Sequence, residues 1–78
     1  MTLTPDALIA YLRQDLNIDQ DIAPETELFS SGMLDSVAMT NIIIFLEEQA
    51  GIVVRPADVT LENFDSVGAI VSYAHAGA

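Results

Sequence analysis

A chain of 78 residues makes one small domain, residues 1–78, with a thin core and little stability to spare. Apolar residues are 51% and charged residues 18%, which excludes an intrinsically disordered chain. Twelve acids against two bases, Arg13 and Arg55, give a net charge of −10, which argues against nucleic acid or anionic lipid as partners and favours basic protein faces.

The absence of cysteine rules out a disulfide framework, a thiolate zinc site and a thiol nucleophile. The first residues carry no basic stretch followed by an apolar run, so no secretory signal is read there. The five apolar residues from Ile42 to Leu46 fall far short of the ~20 a membrane span needs. A cytoplasmic monomer is expected.

Thr4-Pro5-Asp6 starts the first helix: a capping Thr, Pro at the first helical position, then an acid in the first turn. Leu8, Ile9, Leu12 and Leu16 form a helical stripe with Tyr11 at its edge, predicting a helix from about Pro5 to Leu16. The stretch from Asn17 to Leu34 has no sustained period, yet holds Ile18, Ile22, Leu28, Phe29, Met33 and Leu34. It reads as a long ordered loop pinned to the core, with Phe29 its main anchor. Asp19-x-Asp21 is its nearest approach to a calcium loop, and the glycine and closing glutamate of an EF-hand are missing.

A second helix is predicted from Ser36 to Gln49, stopped by Gly51. Met39, Ile42, Ile43, Leu46 and Ala50 form its core stripe, while Val37, Ile44 and Phe45 add apolar surface beyond it. A domain this small cannot bury such a helix on every side, so part of the surface from Val37 to Phe45 is left for a partner. Ile52-Val53-Val54 has strand propensity but no strand to pair with, and is read as an extended connector. Pro56-Ala57-Asp58 reads as a turn. Val59, Leu61 and Phe64 suggest a short helical turn plugging the core. Asp65-Ser66 starts a last helix with Val67, Ile70, Val71 and Ala74 inward, ending near His75 and Gly77. The fold class is all-α: a small antiparallel four-helix bundle, three main helices and one short one, with a long first loop.

The tripeptide Asp-Ser-Val occurs twice, at Asp35-Ser36-Val37 and Asp65-Ser66-Val67. Each pair offers oxygens that can cap a helix start, so the tripeptide alone does not separate a cap from a serine presented for modification. Context separates the two. Ser36 follows a glycine-led loop and precedes the over-apolar helix, whereas Ser66 follows a core anchor and precedes a conventional amphipathic one.

Leu28-Phe29, then Gly32-x-Leu34-Asp35-Ser36-Val37, Ile42 to Leu46, Glu47-Glu48 and Gly51 resemble an acyl or peptidyl carrier protein. The likeness runs on through Val59 to Val67 and into the last helix. It implies a carrier rather than an enzyme. It also implies Ser36 as the attachment site of 4′-phosphopantetheine through a phosphodiester, with Asp35 as the acid beside it during modification. Met33, Leu34, Val37, Ala38, Asn41 and Ile44 would form the partner face. The partners implied are a phosphopantetheinyl transferase, an adenylating ligase or acyltransferase, and downstream acyl-accepting enzymes.

Carriers of fatty acid synthases bear acids soon after the serine, where this chain has Ala38-Met39-Thr40-Asn41 and regains acids only at Glu47 and Glu48. The Gly-x-Leu-Asp-Ser form is instead similar to stand-alone aminoacyl carriers, including D-alanyl carriers, and to discrete carriers of natural-product pathways. The alternatives are a fatty-acid-synthase-type carrier and a helical interaction module in which Ser36 is only a cap. A serine hydrolase lacks its parts, since His75 is the only histidine and no Gly-x-Ser-x-Gly elbow is present.

Overall fold

The computed structural model describes residues 3–77. Within them the chain forms α1 (Pro5–Asp15), α2 (Ser36–Gln49), a 3₁₀ turn at Pro56–Asp58, α3 (Leu61–Phe64) and α4 (Val67–Gly77). The all-helical reading holds, with bounds close to those the sequence predicts. Thr4 caps α1 by accepting from the Ala7 N–H at 3.1 Å, and Pro5 takes the first turn, where its missing N–H costs nothing. Past the end of α2, Gly51 takes the left-handed conformation (φ 68°) that glycine adopts without strain.

One core joins all the elements. Leu8 and Leu12 of α1, Ile42 and Leu46 of α2, Phe64 of α3, and Val67 and Ile70 of α4 are fully buried. Helix α4 packs against both α1 and α3. Ile52, Val53 and Val54 pair with no strand among the described residues, and their side chains alternate: Ile52 and Val54 are buried while Val53 stays 81% exposed. Glu47 accepts from the Val54 N–H at 3.1 Å, giving one connector amide the partner a strand would have supplied. His75 lies 2.7 Å from the carbonyl of Leu3, tying the segment before α1 to the end of α4.

Two expectations need correction. The loop's main anchor is Leu28, fully buried, and Phe29 is only half-buried. Leu61 does not plug the core; it is 55% exposed, leaving Phe64, fully buried and tilted against Tyr73 with ring centroids 5.5 Å apart, and partly buried Val59 to do so. In a helix of four residues only one side can face inward, and Phe64, the bulkier side chain, takes it. Phe64→Ala should therefore cost ~3–5 kcal/mol, the range for a large aromatic lost from a core. Leu61→Ala should stay within ~0.5 kcal/mol. Urea unfolding of the two variants checks both values.

Candidate functional site

The two Asp-Ser-Val sites fold in different registers. At the start of α2, Asp35 is the cap: its backbone is extended (φ −120°, ψ −172°) and its Oδ1 accepts from the Ala38 N–H at 3.0 Å. Ser36 is then the first helical residue. Its hydroxyl makes no hydrogen bond among the described residues, and neither its own N–H nor that of Val37 has a partner there. At the start of α4 the roles are exchanged. Ser66 Oγ accepts from the Ala69 N–H at 3.1 Å, and Asp65 is left over.

The cause of the exchange is α3. Asp65 closes that helix, with its N–H donating to the Leu61 carbonyl at 2.9 Å and its backbone in the helical region (φ −81°, ψ −2°). A cap needs extended backbone, so capping falls to the next residue, Ser66. No helix precedes Asp35, which is free to extend and cap, and the serine after it is released. The reading of Ser36 as an ordinary cap is thus corrected. The released hydroxyl sits on an exposed residue at the positive end of α2, where a phosphate ester is favoured.

Leftover Asp65 reaches across to the long loop. Its Oδ1 accepts from the N–H groups of Phe29 at 2.7 Å and Ser30 at 2.9 Å, and its Oδ2 from the Ser30 hydroxyl at 2.6 Å. Its backbone carbonyl also accepts from the Leu28 N–H at 2.7 Å. One turn further on, the Gly68 N–H donates to the Pro24 carbonyl at 2.8 Å. A Cβ at Gly68 would lie 3.2 Å from that oxygen, so a glycine lets the loop come this close. From the clamp the order passes along the chain. The Leu34 N–H donates to the Leu28 carbonyl at 2.9 Å, and Leu34 is buried immediately before Asp35.

Of the residues expected on the partner face, Val37 is 67% exposed and Ile44 48%, with Asn41 half-buried between them at helical spacing. Met33 is half-buried beside them. Leu34 and Ala38 are corrected: both are core residues, because the α2 turn that points Val37 outward turns Ala38 in toward Ile42. They line a groove of about 340 Å³ beside Ser36, which Leu16, Ile18, Met33 and Val37 also line. A contact absent from the sequence reading joins α1 to α2. Tyr11 stacks on Phe45, with centroids 4.2 Å apart and planes at 21°, and its hydroxyl donates to the Asn41 carbonyl at 3.1 Å. Burial, and then the carboxylates of Asp15 and Glu48, push the Tyr11 phenol above its ordinary range, so it keeps the proton it donates.

The exposed Ser36 hydroxyl thus stands at a helix N-terminus, a position that favours negative charge. The chain matches the profile of the phosphopantetheine attachment site family over residues 6–74. It belongs to that family. A comparison with curated proteins gave no match. Members carry 4′-phosphopantetheine covalently and act as carrier domains. No described helix is long and apolar enough to cross a membrane.

Two outcomes follow from the capping register and the clamp. Ser36→Ala should leave stability within ~0.5 kcal/mol, since it removes no cap and alanine suits a helix interior. Asp35→Ala and Ser66→Ala should each cost ~1 kcal/mol; thermal unfolding at one pH compares the three.

The Ser30 hydroxyl, then the Ser30 and Phe29 N–H groups, hold the Asp65 carboxyl below the usual carboxylate range, against the opposing effect of burial. Because the folded value lies below the unfolded one, the clamp stabilises fully above about pH 4 and is lost as pH falls through the lowered value. Protection of the Phe29 and Ser30 amides, taken relative to the intrinsic exchange rate at each pH, should fall in the wild type as the Asp65 carboxylate is protonated, and be low at every pH in Asp65→Ala.

Proposed function

We propose that this chain is a discrete carrier, loaded through 4′-phosphopantetheine on Ser36, for an acyl or aminoacyl group passed between the enzymes of a biosynthetic pathway. The observation that carries the reading is the capping register, which frees the Ser36 hydroxyl and engages that of Ser66. In loading, the Ser36 hydroxyl displaces the nucleotide from the pantetheine phosphate of coenzyme A. A P–O bond forms to Ser36, the pyrophosphate P–O bond breaks, the hydroxyl proton leaves to a base, and adenosine 3′,5′-bisphosphate departs. Asp35 spends one carboxylate oxygen on the Ala38 N–H, which fixes the first turn and the serine with it. When bound, the group supplies a thiol that holds the cargo as a thioester, chemistry this cysteine-free chain has no side chain to perform.

The residues present suit the arm. An exposed serine stands at the positive end of α2, and the groove beside it is lined mainly by apolar side chains. The carrier's own residues present and orient; partner enzymes do the bond chemistry. A phosphopantetheinyl transferase loads the arm, and an adenylating ligase or acyltransferase loads the cargo.

The stripe next to Ser36 is exposed at Val37 and Ile44 with half-buried Asn41 between them, and Glu48 is the next exposed acid along α2. A docking face that is neutral and partly apolar near the serine supports a stand-alone aminoacyl or natural-product carrier over a fatty-acid-synthase type, whose partners hold acids on this helix.

The test is loading of the apo protein with coenzyme A and a broad-specificity phosphopantetheinyl transferase, read by intact mass. The wild type and Ser66→Ala should each gain the mass of one phosphopantetheine, and Ser36→Ala none. A gain that survives Ser36→Ala would overturn the assignment.

A further inference from the structure

The second Asp-Ser pair has a use beyond starting α4. We propose that Asp65 is a positioning residue for the modification of Ser36, holding the loop that presents the serine in the conformation a phosphopantetheinyl transferase binds. The inference rests on the reading of Ser36 as the attachment site and adds a residue 29 positions away that touches neither the serine nor its cap.

The connection is continuous. The Asp65 carboxylate takes three donors from Phe29 and Ser30, at 2.7, 2.9 and 2.6 Å, and its carbonyl takes the Leu28 N–H. Residues 28 to 34 then close on themselves: Gly32 N–H donates to the Phe29 carbonyl, Met33 N–H to Ser31 Oγ, and Leu34 N–H to the Leu28 carbonyl. Gly32 turns the chain with φ 83°, a conformation few other residues take cheaply. The last bond of this closed segment is one residue from the α2 cap. Without the carboxylate, residues 29 and 30 lose every hydrogen bond from their N–H groups to the described residues, and nothing else on α3 or α4 bonds to that stretch of loop.

A transferase must meet the loop and the serine together. If the loop adopts its bound form only part of the time, apparent affinity falls by that fraction while turnover in the bound complex is unchanged. A merely structural residue behaves otherwise: below the melting temperature its loss leaves the folded fraction near one, and both kinetic constants stay put. Initial rates of loading, measured against carrier concentration for wild type, Asp65→Ala, Asp65→Asn and Ser30→Ala, separate the two cases.

Asp65→Ala should raise KM about tenfold with kcat unchanged. Asp65→Asn, whose amide oxygen can still accept from both N–H groups, should recover most of the loss. Ser30→Ala removes one bond at an exposed site, leaves the fold intact and should raise KM by a smaller factor. Hydrogen exchange of the same variants should show faster exchange at Phe29 and Ser30 with α4 still protected. The proposal is overturned by an unchanged KM in Asp65→Ala and Ser30→Ala, or by α4 losing protection together with the loop. A wild type that takes up no group overturns the Ser36 reading itself, and with it this inference; that failure is recognised because it appears before any variant is compared.

Discussion

A helix start accepts one side-chain cap from the residue that precedes it, and that residue must have extended backbone. This single constraint divides the work within both Asp-Ser pairs. Where the preceding chain is loop, the aspartate is extended and caps, and the serine becomes the first helical residue with its hydroxyl free. Where the preceding chain is helix, the aspartate is still helical, and the serine caps. Two identical tripeptides thus give one exposed serine hydroxyl with no partner among the described residues and one internal clamp. The outcome is decided by four residues, Leu61–Phe64, that stand before one pair and not the other.

The core makes this division durable. Leu34 and Phe64, the last buried side chains before each pair, fix where the chain leaves the interior. From Leu34 the cap follows at once; from Phe64 one residue intervenes. Because Leu28 is also fully buried, the loop between Leu28 and Leu34 is fastened at both ends by apolar burial and at its middle by Asp65. Burial supplies most of the energy and the polar clamp supplies the geometry. Shape alone would leave the backbone amides of Phe29 and Ser30 to water, where several loop conformations compete.

Much of this was legible in the sequence, because capping residues and helical periodicity are local signals. Thr4-Pro5-Asp6, the stripe through α2 and Gly51 gave the helices their bounds, and the lack of a second strand correctly left Ile52-Val53-Val54 unpaired. What was not legible depends on contacts between distant residues. Leu28 and Phe29 are adjacent and both apolar, and only the path of the loop past Asp65 decides which one enters the core. The stacking of Tyr11 on Phe45 joins positions 34 apart, with no pattern in either helix to announce it. For Asp65 a signal did exist: a cap position holds one residue, so an Asp-Ser pair always offers one oxygen-bearing side chain too many. Asking where the spare one goes would have raised the possibility of a second role.

The same logic bears on how a carrier of this kind keeps its serine available. A hydroxyl that capped its own helix would become a bulkier and weaker acceptor on esterification, at a bond worth about 1 kcal/mol to the first turn. Assigning the cap to Asp35 separates the two duties. On the proposed reading, the helix start would stay closed as Ser36 went from hydroxyl to phosphodiester, and the added negative charge would meet the positive end of α2 and the N–H groups of Ser36 and Val37, which have no partner among the described residues. Attachment there would add to the stability of the first turn instead of drawing on it.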